Sequence, residues 1–486
     1  MIFEGKSVSY GILDACANAL ADALVQHGIV RGDRVALYLP NIPAFALTYL
    51  AIVRAGAIAV SINAIFKADE VRYIINDAGA KAVFTTAELL PNVPLHACPT
   101  VINTIISEGD STGLIALEDW LAKGSPAFRA VDMDADEIAA ILYSSGTTGF
   151  PKGVMLTHGN IDSNTLTAAK YSDMQPDDRV AVFLPLFHVF AQNYIMNGAF
   201  QRGAALVLFR RFIPDVVLAG IAKERVTLFF AVPTIFIALM NTIGIEADVA
   251  SVRYWFSAAA SMPQEISRRW HERFGRPIFE GYGLTECAPF AAYNHLREHR
   301  FGAVGTAVEG FALGIVDEND AEVARGQWGE IVIRGPGVMK GYWGKPADTA
   351  HALRGGWLHS GDIGTMDDDG YVFIVDRVKD MINVSGFKVW PAEVENCLYQ
   401  HPAIKELAVY GAPHPQKGES VRAAVVLRDE ASATPEEIID YCRDRLAVYK
   451  APERVDIVAV LPKSATGKIL KRVLRDEAVR PPDGSA

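Results

Sequence analysis

Apolar and polar positions follow two alternating periods over the first 280 residues or so. Runs such as "RVALYL" (34–39), "RVAVFLPL" (179–186) and "RYWFSAAA" (253–260) are short, continuous and rich in β-branched or aromatic residues, which predicts buried strands. After a turn, each is followed by a segment of helical period: "PAFALTYLAIVRAG" (43–56), "HVFAQNYIMNGAF" (188–200) and "PQEISRRWHERFG" (263–275). Strand-then-helix repetition predicts an α/β fold of helix-flanked, mainly parallel sheets, with ligands gathered beyond the carboxyl ends of the strands. The most apolar stretch, 44–66, carries Arg54 near its middle. That charge would cost about 2.5 kcal/mol or more at a bilayer centre, so the stretch predicts a core helix followed by a core strand and no integral membrane segment.

Beyond about Phe301 the pattern changes to short β runs broken by glycine turns, as in "GEIVIRGPGVMKGYW" (329–343) and "GWLHSGDIGTMDDDGYVFIVDR" (356–377). A β-rich subdomain over about 301–376 is expected to close a large N-terminal domain, 1–376. After "DRVKDMINVSGFKVWPAEVE" (376–395), helices and strands alternate in a compact α+β pattern. This predicts a hinge at 377–379 and a small, mobile C-terminal domain over 380–486. A length of 486 residues is too much for a single core.

Half of the residues are apolar and the formal net charge is −11. An acidic chain does not present the basic face that nucleic acid requires, so an anionic ligand must be met by local cations. Cys16, Cys98, Cys287, Cys397 and Cys442 are scattered, with no CxxC and no zinc spacing to histidine. They are expected as buried thiols of a cytoplasmic protein. The start, "MIFEGKSVSY", has neither the basic nor the apolar region of a secretion signal.

Candidate chemistry begins at "YSSGTTGFPKGV" (143–154), directly after an apolar run. Ser144, Ser145, Thr147 and Thr148 supply hydroxyls, Gly146, Gly149 and Gly153 permit close backbone approach, and Lys152 adds a positive charge. It is not a Walker A loop, because Pro151 stands where that motif needs its second glycine and Gly153 follows the lysine. Successive N–H groups and hydroxyls nevertheless make an anion nest suited to phosphate.

This loop resembles the signature of the AMP-forming acyl-CoA synthetases, the adenylate-forming superfamily. Six further stretches match in the family's order: "PLFHVF" (185–190), "VPTIF" (232–236), "GYGLTE" (281–286), "HSGD" (359–362), "DRVKDMINVSGFKVWP" (376–391) and "PKSATGKILKR" (462–472). The resemblance implies binding of ATP and a carboxylic acid, formation of acyl-AMP with loss of pyrophosphate, and transfer of the acyl group to the thiol of CoA.

It also implies roles for particular residues. The 144–149 loop, Lys152 and Thr285 would hold phosphates, and Glu286, with Thr148, would bind Mg²⁺ as hard oxygen ligands. Glu280, Gly281, Tyr282 and Gly283 would frame the adenine, the two glycines freeing the backbone to approach a flat ligand and Tyr282 offering an aromatic face. Asp362 in its glycine-flanked turn would accept from the ribose hydroxyls, with Arg377 meeting the ribose from the other side. Lys468, on a loop near the C-terminus, matches the family's catalytic lysine. Delivered to the α-phosphate for one step, it would withdraw for the next as the small domain turns about Lys379. Ser385 and Gly386 would then line the thiol tunnel, and Arg211 would meet a CoA phosphate.

The acid is expected to be plain and hydrophobic. No Asp stands in "LFHVF" to pair an amino acid's ammonium, and Gly281 replaces the arginine that malonate-type relatives show in "ERYG". His188 and Phe190 on one side and Ala258, Ala259 and Gly281 on the other predict an apolar, roomy wall. Some long-chain synthetases show a gating Trp in "FHVNAW" where Gln192 stands here. A medium to long fatty acid is the first expectation and an aryl or arylpropenoic acid the alternative, with an acyl carrier protein as another acceptor. A homodimer is a further expectation. The family usually carries a few dozen residues ahead of "VSYGILDACANALADAL", so either a truncated start or a member without that packing layer is expected.

Overall fold

The computed structural model describes residues 1–144, 151–295, 298–377, 380–429 and 431–479. Ser145, Gly146, Thr147, Thr148, Gly149 and Lys379, all named above as candidates, lie outside the described residues.

Two sheets form the large α/β part. In the first, Arg34–Leu37 is the central strand, with Ile58–Ser61 and then Ile138–Ser144 in parallel on one side and Ala82–Thr85, Asn103–Ile106 and Ile115–Ala116 in parallel on the other. Lys152–Thr157 adds an antiparallel strand beside Ile138–Ser144. In the second sheet Ala205–Leu208, Arg179–Val182, Leu228–Ala231, Tyr254–Ser257 and Ile278–Tyr282 run parallel in that order. Ala292–Tyr293 and Thr306–Ala307 extend it antiparallel. At the other edge Ile2–Phe3 pairs with Ala205–Leu208 and folds back on Lys6–Ser7, so the chain's first residues join this sheet.

Local chemistry starts the helices where the apolar periodicity requires them. Pro43–Arg54, Pro214–Glu224 and Pro233–Met240 begin with a proline that needs no N–H there, and Ser9 and Thr157 cap Tyr10–Gln26 and His158–Tyr171. The stretch around Arg54 is indeed a core helix followed by a fully buried strand, with the guanidinium bonded to Asp14 and Asn18. One element departs from its expected form: after the Arg179–Val182 strand, Phe190–Asn197 winds as a π-helix before Gly198–Arg202 continues as α. The wider turn faces seven buried side chains inward, Gln192 and Asn193 among them.

The antiparallel sheet of Ala312–Val316, Gly329–Arg334, Leu358–Met366 and Val372–Arg377 is the β-rich part. The "GEIVIRGPGVMKGYW" stretch divides between sheets: Gly341–Tyr342 leaves this one and pairs with Met155 and Val154 in the first sheet. The C-terminal α+β part builds on the hairpin Ile404–His414 and Gly418–Leu427, with Arg454–Ile457 parallel to it and Ile382–Val384 and Phe387–Val389 at the other end. Pro391–Leu398, Pro435–Arg443 and Lys471–Val479 are its helices. All five cysteines are free, four of them buried and Cys16 half-buried. Among the described residues no helix is long and apolar enough to cross a membrane.

Candidate active site

Two strand ends bring the phosphate candidates together. Ile138–Ser144 and Lys152–Thr157 pair in antiparallel register up to Ser144 opposite Lys152, so the intervening loop is held at both ends. Ser144 Oγ donates to Glu286 Oε1 at 3.2 Å, and the Tyr342 hydroxyl donates to the same oxygen at 3.0 Å. Lys152 Nζ lies 5.2 Å from the centre of the Tyr342 ring and pairs with Asp348 at 2.8 Å. Tyr342 and Asp348 were not among the sequence candidates. Their only sequence signal is an aromatic and an acid in an otherwise ordinary "GYWGKPAD" turn, and the Gly341–Tyr342 strand is what carries them here.

Among the described residues both side-chain bonds to Glu286 engage one oxygen, and a carboxylate oxygen such as Oε2 is the kind of ligand a hard cation takes. Among the described residues no group of three or more acidic, histidine or cysteine side chains forms a metal cage. A single carboxylate completed by phosphate oxygens suits Mg²⁺ all the same.

A second cluster forms at the carboxyl end of Ile278–Tyr282. The Tyr282 hydroxyl donates to Asp362 Oδ2 at 2.8 Å, and Arg377 Nε stands 3.2 Å from Asp362 Oδ1. Asp362 and Arg377 are direct cross-strand partners, which makes their pairing a consequence of register. The Arg377 guanidinium thus pairs with Asp362, while its backbone N–H donates to Asp376 Oδ1 at 2.8 Å. Each Asp362 oxygen keeps a second lone pair for a further hydroxyl.

Lys468 sits across from His188. Burial, reinforced by the Lys468 charge, pushes the His188 imidazole down to about 4, so it is neutral at pH 7. Its Nδ1 accepts from the Phe190 N–H at 3.3 Å, which puts the proton on Nε2. Glu280 is buried at 4 % exposure and burial raises its carboxyl to about 8, with the Met262 N–H pulling the other way. Among the described residues its Oε1 and the hydroxyl of Ser257, its register partner on the next strand, are both without a hydrogen bond.

The glycines of "GYGLTE" are also required by the protein's own packing. A Cβ on Gly281 would stand 2.4 Å from the Phe256 ring and 2.9 Å from Phe290, and one on Gly283 would stand 1.6 Å from the Pro289 carbonyl oxygen. The space on the Cβ side of Gly281 is therefore filled. Phe190 packs on Phe256 at 5.9 Å, Tyr194 stacks on Phe256 at 5.1 Å, and Phe290 meets Tyr194 edge-on at 4.9 Å. Ala258 and Ala259 are half-buried at the neighbouring strand end, Ala259 in a left-handed turn with φ 71°. Thr285 opens the short helix Thr285–Cys287 that presents Glu286.

The CoA candidates stand apart from these clusters. Ser385 and Gly386 form an exposed turn of the small domain, with φ of 53° and 90°, and the Ser385 N–H bonds to the Lys417 carbonyl. Arg211 is exposed, whereas its neighbour Arg210 is taken up by Glu4 and Glu108.

Ser144 and Lys152 at adjoining strand ends, the buried Glu286 bonded to Ser144 and Lys468 acting on His188 from the C-terminal part are groups of the kind a nucleotide-dependent acid-activating site needs. Comparison with known proteins agrees. Residues 1–343 match the AMP-binding enzyme family and residues 393–468 the AMP-binding enzyme C-terminal domain. The chain is 34% identical to a long-chain-fatty-acid–CoA ligase of Bacillus subtilis (strain 168), over 98% of this chain and 91% of that protein. It is 36% identical to a feruloyl-CoA synthase of an Amycolatopsis species, over 97% and 94%. The crystal structure of the anthranilate CoA ligase AuaEII in complex with anthranoyl-AMP superposes with a TM-score of 0.93 at 29% identity, over 98% and 93%. The chain belongs to the AMP-binding enzymes, as an AMP-forming acyl-CoA synthetase of the adenylate-forming superfamily. It uses ATP to activate a carboxylic acid as acyl-AMP and transfers the acyl group to CoA.

Proposed function

We propose that the acid is aromatic, of the benzoate or arylpropenoic type, in place of the fatty acid expected first. The observation that carries this reading is the filled space behind Gly281, where Phe256 and Phe290 stand within 3 Å of a Cβ position and close the wall against Phe190 and Tyr194. A flat ring stacks on such a wall, whereas an extended chain needs a channel through it. The activities named for the feruloyl and anthranilate relatives support it. A long-chain fatty acid is the second reading, supported by the activity named for the Bacillus relative.

In this reading the 144–149 loop, Lys152 and Thr285 bind phosphates, Tyr282 and Glu280 border the adenine, and Asp362 with Arg377 holds the ribose. Glu286, with Thr148, would hold Mg²⁺, which screens phosphate charge when bound. Neutral His188 orients the acid, and Lys468 stabilises the charge that builds on the α-phosphate. The domain 380–486 then turns about 377–379, carrying Ser385 and Gly386 towards the acid for thioester formation, with Arg211 on a CoA phosphate.

The test is kcat/KM for pyrophosphate release over benzoate, cinnamate and saturated acids of eight to sixteen carbons, with CoA and a phosphopantetheinylated carrier protein compared as acceptors. Aromatic acids should exceed every fatty acid by about tenfold or more, the size of a misfit at an apolar pocket. Preference for a fatty acid overturns the reading.

A further inference from the structure

The helix Pro233–Met240, which contains most of the "VPTIF" stretch, meets the small domain at both of its ends. At its start the Thr234 hydroxyl donates to the Gly467 carbonyl at 2.8 Å. At its end Asn241, the C-cap, accepts from Arg428 Nη1 at 2.6 Å while its own amide donates back to the Ile237 carbonyl at 2.8 Å. Seven residues of helix separate the two contacts by about 10 Å. Two points that far apart leave one body a single rotation on the other, about the line that joins them, where a single point leaves all three open.

The details suit a seat for Lys468. The helix takes no side-chain cap at its start, so the Thr234 hydroxyl has no duty within its own helix. The loop it meets is internally braced: Ser464 N–H bonds to the Lys468 carbonyl at 2.8 Å, Gly467 N–H to the Ser464 carbonyl at 2.9 Å, and Lys468 N–H to Ser464 Oγ at 3.2 Å. Lys463 ties the loop's base to Glu406. The carbonyl that Thr234 holds belongs to the peptide leading into Lys468, so this bond sets the plane from which the lysine departs. Gly467 has φ 82°, and a Cβ there would stand 3.2 Å from both Thr234 Oγ1 and Val232 Cγ2, so glycine lets the loop close on the helix.

We infer that Thr234 is a positioning residue for Lys468 and that, with Asn241, it forms the seat holding the small domain in its adenylate-forming arrangement. This rests on the proposed role of Lys468. When the domain turns for thioester formation both contacts part, so the seat favours the first half-reaction and opposes the second.

The experiment compares Thr234→Val, which keeps volume and removes the hydroxyl, with Thr234→Ser, which restores it, and with Asn241→Ala at the far end. Two rates are read on the full chain: acid-dependent exchange between pyrophosphate and ATP, and single-turnover thioester formation from supplied acyl-AMP and CoA. Thr234→Val and Asn241→Ala should each slow exchange about fivefold, the worth of one hydrogen bond, through kcat rather than the KM for the acid. Thioester formation should hold its rate or gain. Thr234→Ser should return exchange to the parent rate. Equal slowing of both steps, parent-like exchange in Thr234→Val, or no rescue by serine overturns the inference. Lys468→Ala run alongside separates the two readings: if it keeps exchange, the role of Lys468 falls first, and if it loses exchange while Thr234→Val does not, only the seat falls.

Discussion

The Tyr282 hydroxyl and the Asp362 carboxylate meet at 2.8 Å although 80 positions of sequence separate them. One residue ends a strand of the parallel sheet and the other lies on the antiparallel β-rich part, so this bond joins two architectures at the proposed ribose. Tyr282→Phe should raise the KM for ATP by about tenfold, the worth of a hydrogen bond to a charged group, and leave the KM for the acid near its parent value. Initial-rate kinetics over both substrates check this. A change confined to the acid would remove Asp362 from the nucleotide.

Lys468→Ala should reduce acid-dependent pyrophosphate exchange by about a hundredfold or more, as when one aimed charge-stabilising group is removed. Thioester formation from supplied acyl-AMP should survive, because the lysine has then withdrawn. Equal loss of both steps contradicts the assigned role.

Glu280 gives a pH signature. Its carboxyl is raised by burial from 4.5 to about 8, so the folded protein keeps a proton that the unfolded chain releases above about 4.5. Its contribution is complete below that value and is lost as pH climbs towards 8. Glu280→Gln should therefore stabilise the protein at pH 8 by on the order of a few kcal/mol and flatten the dependence between pH 5 and 8, read as denaturation midpoints. A variant less stable than its parent at pH 8 would show that the buried carboxylate is ionised and paired.

Gly281→Ala tests the wall. A methyl 2.4 Å from the Phe256 ring must displace it, so stability should fall by about 1–3 kcal/mol, the usual cost of overpacking. The unfolding midpoint should drop whichever acid is supplied. An unchanged midpoint would mean that the rings yield freely and that the wall is no barrier.

Much of this architecture was readable in the chain because period and punctuation agree. "RVALYL" followed by a proline-led apolar helix leaves little alternative to a buried parallel strand and its cover. The pairing of Asp362 with Arg377 was half legible: both were candidates for one ribose, but their contact follows from hairpin register, which the motif itself does not state. Tyr342 and Asp348 were not legible, since their importance comes from a two-residue strand crossing between sheets. The fill behind Gly281 was not legible because a glycine says only that its own side chain is absent. What occupies the space is written at Phe256 and Phe290, on other segments. The π-helical turn at Phe190–Asn197 was not legible, since its apolar pattern reads as helical and does not state which carbonyl each N–H will reach.

The crossing of Gly341–Tyr342 has a thermal consequence. This brief edge strand delivers the tyrosine to Glu286 and, with the Lys340 and Trp343 N–H groups bonded to the Met155 and Gly153 carbonyls, helps fasten the β-rich part to the first sheet. Edge pairing of this kind opens before the broad parallel sheets do, so warming should silence the enzyme while its bulk secondary structure is still intact.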